Sequence, residues 1–170
     1  AFRELPGYIS IFFPPPKTMT EVLLSTHELV FYADVGSNHA VISAEELGVN
    51  PIEFRTFSME DLCMHIRWAK EFIHCHGVNV NVYWHDLVSN SIHLRTFERG
   101  VEAETGACGT GAISTALSLW SKNSKHRKFN IYPTSQEELT VVINELNQQI
   151  DSIELIGPAT ILDSFTYTFE

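Results

Sequence analysis

Apolar positions along the chain follow two rhythms. Residues 78–84, Val-Asn-Val-Asn-Val-Tyr-Trp, alternate strictly. That predicts a half-buried strand with Val78, Val80 and Val82 on one face and Asn79 and Asn81 on the other. Residues 91–97 alternate likewise, and the turn-forming stretch 86–90 between them predicts a hairpin. Shorter runs at 8–13, 27–33 and 39–43 also read as strands. The first is stopped by Pro14-Pro15-Pro16, which lack amide donors. Further strands are predicted at 127–133, 138–144, 150–155 and 164–169. Helical spacing occurs twice. In 58–73, Leu62, Ile66, Ala69 and Ile73 fall three or four apart, with Ser58 placed as N-cap and Gly77 placed to end the helix. In 110–122, Ala112, Ile113, Ala116, Leu117 and Trp120 form a wide apolar stripe, as expected of a central, well-covered helix. Residues 43–47 look like a short capped turn. The sum is strand-rich with two main helices, an α+β chain with no clear internal domain boundary.

Composition narrows the function classes. The 170 residues, 44% of them hydrophobic, suffice for one globular core. A formal net charge of −10 argues against nucleic acid and anionic membrane as partners, and no apolar run approaches a membrane span. The basic run 122–128 reads as a helix end and solvated loop. Cys63, Cys75 and Cys108 are odd in number and irregular in spacing, which speaks against a disulfide framework and for a reducing cytoplasm. Cys63, His65, His74, Cys75 and His76 match no standard zinc spacing and read as helix surface and helix C-terminus, so no metal is expected. The N-terminus is not a signal peptide, and Ala1 in place of an initiator Met reads as a fragment or processed product.

One stretch carries chemistry. Residues 98–112, Glu-Arg-Gly-Val-Glu-Ala-Glu-Thr-Gly-Ala-Cys-Gly-Thr-Gly-Ala, run from a strand into the second helix. Cys108 would precede the helix N-terminus, where the helix dipole favours thiolate over thiol. Gly109 and Gly111 would let the backbone approach a ligand closely. Their amides, with that of Thr110, would form an anion nest suited to a carboxylate. Glu98 and Arg99 offer the opposite charges that an amino acid's ammonium and carboxylate require. A thiol beside such a bound head is placed to remove the α-proton by general acid–base catalysis, and inversion requires a second acid on the opposite face. Glu102 and Glu104 read as parts of a solvated loop, with a supporting role open for Glu104.

The stretch resembles the second cysteine motif of the diaminopimelate epimerases. The resemblance implies a strand-rich, barrel-like sheet wrapped around a central helix. It also implies cofactor-independent, two-base epimerisation of LL-2,6-diaminopimelate to the meso isomer, for lysine and peptidoglycan synthesis. On this resemblance Cys108, His39 and Glu98 would be catalytic. Asn79, Glu98, Arg99, Gly109, Thr110 and Ser37 would bind the amino-acid substrate. His39 follows from Gly36-Ser37-Asn38-His39, which is similar to the family's Gly-Asn-Pro-His segment. Ser37 and Asn38 depart from it, which leaves room for a broader amino-acid racemase or a non-catalytic amino-acid-binding domain. The family's first cysteine motif, Cys-Gly-Asn-Gly, has no counterpart in the chain. The resemblance therefore implies a C-terminal half at 16–163 and a remnant of a preceding domain or linker at 1–15. A closing strand at 164–170 would belong with the missing N-terminal domain, which would carry the second cysteine. Alone, the chain is expected to be inactive. A homodimer is compatible with all of this, and Gly157-Pro158-Ala159 resembles the turn before the closing strand.

Overall fold

A computed structural model describes residues 2–5, 7–160 and 166. Its strands are β1 (Phe2–Leu5), β2 (Tyr8–Phe13), β3 (Thr18–Leu23), β4 (Leu29–Asp34), β5 (Asn38–Ser43), β6 (Asn79–Asp86), β7 (Ser91–Glu98), β8 (Ala103–Thr105), β9 (Lys128–Tyr132), β10 (Leu139–Leu146) and β11 (Gln149–Pro158). Two α-helices, α1 (Glu60–Arg67) and α2 (Gly109–Lys122), and a 3-10 helix at Lys70–Cys75 complete the fold. The strands form one mixed sheet in the order β1-β2-β11-β10-β9-β7-β6-β5-β4-β3, with β8 paired to β7. Helix α2 touches β4, β5 and β6 towards one end of that order and β10 and β11 towards the other. A single helix reaches both sets only if the sheet curls around it. The predicted α+β, strand-rich architecture around a central helix is therefore what forms. Among the described residues the curl stays open, with β1 and β3 at its two ends.

Two apolar clusters follow from this wrapping. The inner one joins Ala112, Ile113, Ala116 and Leu117 of α2 to Phe31, Val41, Tyr83, Leu94, Ile131, Val141 and Ile153 of the sheet. The outer one joins Val80 and Val82 to Cys63 and Ile66 of α1 and to Phe72. Strand β6 is thus covered on both faces and buried from Asn79 to Tyr83, not half-exposed as its alternation suggests. Its asparagine face meets α2 instead of water, so two amide side chains stand in the interior. Buried amides need partners, and theirs build the candidate site.

Several sequence expectations change. The predicted helix 58–73 divides at Ala69, whose ψ of 142° is extended. Beyond it the three-residue period of the 3-10 turn buries Phe72 and leaves Ile73 exposed. The N-cap of α1 is Met59, not Ser58, and no side chain caps it. Strands β3 and β8 were not predicted: β3 is an edge strand without a buried face, and β8 is only three residues long. Within the stretch read as a remnant or linker, β2 pairs along β11 from Tyr8 opposite Pro158 to Phe13 opposite Ile153. That pairing places Gly157 and Pro158 inside β11, not in a turn. The predicted strand at 164–169 lies outside the described residues, Thr166 excepted. The β6–β7 hairpin forms with Val80 opposite Phe97 and Asp86 opposite Ser91. No helix among the described residues is long and apolar enough to cross a membrane.

Candidate active site

The site begins at the junction of β8 and α2. Cys108 is the N-cap of α2 in an extended conformation (φ −134°, ψ 108°), and it is buried. No side chain caps the helix, and no acidic residue occupies its first turn. The amides of Gly109, Thr110 and Gly111 have no acceptor one turn back within the helix. A row of donors at the positive end of a fourteen-residue helix therefore stands beside the thiol. The glycines serve packing as well as approach. A β-carbon at Gly111 would lie 2.4 Å from Asn81 Oδ1, and one at Gly109 would lie 2.9 Å from Leu155 Cδ2. Close docking of the helix start onto β6 thus requires glycine at 111, a reason absent from the sequence reading.

The parallel pairing of β5 with β6 sets His39 opposite Asn79 and Val41 opposite Asn81. His39 is fully buried. Its Nε2 lies 2.9 Å from Ser37 Oγ and 3.1 Å from Thr110 Oγ1, and its Nδ1 lies 3.1 Å from Asn81 Nδ2. Ser37 Oγ is 3.2 Å from Thr110 Oγ1, which in turn lies 3.5 Å from Cys108 Sγ. Burial, reinforced by the nearby positive charge of Arg99, pushes the His39 pKa down to about 3. The imidazole is therefore neutral at physiological pH.

The amide of Asn79 is engaged within the chain, donating to Asn38 O and accepting from the Arg99 amide. Arg99 Nη1 donates to Cys75 O and Gly77 O, which anchors the guanidinium on the end of the 3-10 turn. The Glu98 carbonyl accepts from the amides of Val101 and Glu102, forming a tight turn. The structure thus gathers Cys108, Thr110, His39 and Ser37 into one network, joined to Arg99 through Asn79. Glu98 stands next to Arg99 at the end of β7, and no side-chain hydrogen bond ties it to that network among the described residues.

Glu102 and Glu104 are not free in a solvated loop. Each forms a bidentate ion pair, Glu102 with Arg67 at 2.6 Å for both contacts and Glu104 with Arg95 at 2.6 and 2.9 Å. Thr134 also donates to Glu104, and Arg95 donates to the carbonyls of Phe54 and Phe57. Glu102 closes the loop between β7 and β8 and Glu104 lies within β8, so the two clamps hold the segment that joins the Glu98-Arg99 turn to the approach to Cys108. Sequence reasoning missed Asn81, Thr96, Arg67 and Arg95. Asn81 alone had a local signal, since it shares the alternating face of Asn79. Among the described residues no cluster of His, Cys, Asp and Glu is arranged to hold a metal ion. Cys63 is buried in the outer cluster, and that burial pushes its thiol up to about 12.

No protein-family model matches the chain. Individual relatives do. It is 35% identical over 136 residues to the diaminopimelate epimerase of Aquifex aeolicus, covering 78% of this chain and 45% of that protein. It is 32% identical over 155 residues to the diaminopimelate epimerase of Chlorobaculum tepidum, covering 91% and 56%. The chain belongs to the diaminopimelate epimerase family. It spans about half the length of the curated relatives it matches, consistent with a C-terminal half of the family. Among solved structures it resembles a hydroxyproline epimerase from Agrobacterium vitis with bound trans-4-hydroxy-L-proline. That match has a TM-score of 0.64, 14% identity, and covers 89% of this chain and 50% of the other. At that identity the likeness concerns the fold.

The burial of His39 has a consequence for this family member's stability. Unfolded, histidine takes up a proton near its ordinary pKa of 6.5, whereas the folded site resists protonation down to about 3. The unfolded state therefore binds more protons across that window, and stability falls as pH drops through it. Between pH 6.5 and about pH 5 the chain is expected to lose roughly 2 kcal/mol more than a His39→Gln variant. Urea unfolding of both proteins at the two pH values checks this, and equal losses would contradict it.

Proposed function

We propose that the chain supplies one thiol, Cys108, of a two-base isomerase that inverts the α-carbon of LL-2,6-diaminopimelate to give the meso form. The observation that carries this reading is the placement of Cys108 at the uncapped N-terminus of α2, beside the first-turn amides. A substrate α-carboxylate bound by the amides of Gly109 and Thr110 would set its Cα–H near the sulfur. Arg99 and Glu98 would hold the amino-acid head, and Asn79 would fix Arg99 through its backbone. The thiolate takes the α-proton, the amides hold the carboxylate as charge builds on it, and a second acid protonates the opposite face.

Among the described residues no second cysteine shares the Cys108 network. Cys63 and Cys75 both pack with the outer cluster, and Cys75 Sγ donates to Phe72 O. The opposing thiol is proposed to come from an N-terminal half. The test is exchange of the α-proton for deuterium in D2O, using LL- and meso-diaminopimelate. It is run on this chain alone and on this chain joined to the N-terminal half of a diaminopimelate epimerase. Exchange is expected only in the joined protein. Exchange by the chain alone would refute the half-site reading, whereas binding without exchange in the joined protein would favour a binding domain.

A second reading, a broader amino-acid racemase, is favoured by Ser37 and Asn38. The Ser37 hydroxyl turns inward to His39 and Thr110, and Asn38 Oδ1 accepts from the Tyr32 hydroxyl. The Ser37 hydroxyl and the Asn38 amide oxygen are thus engaged within the chain, which weakens a grip on the far end of a long substrate. Exchange with shorter amino acids in the joined protein, at rates comparable to diaminopimelate, would select this reading.

A further inference from the structure

The two buried asparagines of β6 have their amide orientations fixed by backbone groups. Asn81 Nδ2 lies 3.1 Å from Ala40 O, a group that can only accept, while Asn81 Oδ1 lies 3.0 Å from the Thr96 hydroxyl. Turning the amide over would set two oxygens against each other at Ala40. The Nδ2 group must therefore point its hydrogens at Ala40 O and at His39 Nδ1, 3.1 Å away. A donor aimed at Nδ1 requires a bare lone pair there. In a neutral imidazole the ring proton then resides on Nε2. Asn79 is held by the same logic, between Asn38 O and the Arg99 amide; its Nδ2 stands 3.5 Å from His39 Nε2, at the limit of a hydrogen bond, and does not compete with the 3.1 Å contact of Asn81 at Nδ1.

The Nε2 proton faces two hydroxyl oxygens, Ser37 Oγ at 2.9 Å and Thr110 Oγ1 at 3.1 Å. With Ser37 also within 3.2 Å of Thr110, the lone pairs of Thr110 are approached from the histidine side. The remaining neighbour that can accept the Thr110 proton is the sulfur of Cys108, at 3.5 Å. Every link then runs in one direction, from an amide fixed by the backbone to the thiol. We infer that Asn81 is a positioning residue that locks His39 as the Nε2-protonated tautomer, so that His39 and Thr110 form a donor chain ending on Cys108 and stabilising its thiolate. Within the inner face this explains the glycine at 111: a side chain there would collide with the Asn81 oxygen and push α2 off the chain's origin. Arg99 is the charged group whose field acts on His39, and it favours the neutral ring that the chain requires.

This inference rests on the reading of Cys108 as a working thiol, but its test uses no substrate and so stands apart from the fate of the epimerase reading. The first measurement is 15N NMR of the imidazoles of the whole chain at pH 6–8, with the His39 signals identified by their loss in His39→Gln. The expected pattern is an unprotonated Nδ1 and a protonated Nε2; the reverse pattern overturns the proposal. The second is alkylation of Cys108 by iodoacetamide against pH, followed by peptide mass spectrometry to separate it from Cys63 and Cys75. Thr110→Val is expected to slow the reaction at pH 7 by about tenfold, the loss of a hydrogen bond to a charged acceptor, and to move the profile to higher pH. Thr110→Ser, which restores the hydroxyl, is expected to return the rate to near the parent value. A Thr110→Val profile that superimposes on the parent, in a protein with unchanged unfolding, overturns the chain.

Discussion

Alanine at Cys108 is expected to lower α-proton exchange by about a thousandfold or more in a protein that carries both halves of the site, while leaving substrate binding within a few-fold. The split follows from the geometry. The sulfur is the group proposed to move the proton, and a positioned acid or base contributes on the order of 10²–10⁴ in rate. The carboxylate would be held by backbone amides of Gly109 and Thr110, which a side-chain change at the N-cap leaves in place. Cys108→Ser tests the chemistry more sharply, because it puts a hydroxyl, a far weaker acid than the thiol, at the same point of an extended backbone. It should bind as the alanine variant does and exchange almost as poorly. Measuring deuterium incorporation and ligand affinity on the same preparations separates the two effects. Exchange retained within tenfold in Cys108→Ala would remove Cys108 from the chemistry altogether.

How far the sequence reveals this site depends on the range of the interactions. The Cys108 junction is local: a strand, a cysteine followed by a glycine-flanked threonine, and a stripe at 112, 113, 116, 117 and 120 all lie within twenty residues, and α2 forms as that pattern predicts. The hairpin of β6 and β7 is equally local. The His39 network is not. It depends on the parallel register of β5 against β6, set across a crossover that contains α1, and on α2 lying against the asparagine face. Alternation in 78–84 correctly separates the valines from the asparagines. It cannot say that the polar face is roofed by a helix, so Asn81 passes for a solvent-facing residue. The predicted helix at 58–73 fails for a different reason. Its apolar residues fit a four-residue step until Ala69, where the chain tightens to a 3-10 turn that exposes Ile73 and aligns Phe72 with the core. The acidic residues at 102 and 104 look alike on paper, and nothing nearby announces that Arg67 and Arg95, brought in from other elements, claim one each.

The Arg67 clamp sets the largest stability effect expected of a single surface-reaching residue. The side chain of Arg67 is 4% exposed, whereas that of Glu102 is 41% exposed. Removing the carboxylate by Glu102→Ala leaves a buried guanidinium whose Nε and Nη2 have lost both acceptors, with Val78 O at 3.4 Å its remaining hydrogen bond. Breaking a buried pair from one side costs about 3–5 kcal/mol. Because water can enter where Glu102 stood, about 3 kcal/mol is expected here. The lost bond from the Gly100 amide to Glu102 also loosens the Glu98-Arg99 turn. Gly77 blocks an easy escape. A β-carbon there would already lie 2.7 Å from Arg67 Nη1, so the guanidinium is confined between that backbone and the loop. The cause can be separated from a simple loss of attraction. Arg67→Met with Glu102→Gln removes both charges together, and replacing a buried pair by uncharged groups is often near neutral. Urea unfolding should therefore show the double variant to be more stable than Glu102→Ala alone. If the double variant is instead the weaker by the sum of two separate losses, the penalty is not that of an unpaired buried charge, and the clamp stabilises the loop through attraction and packing.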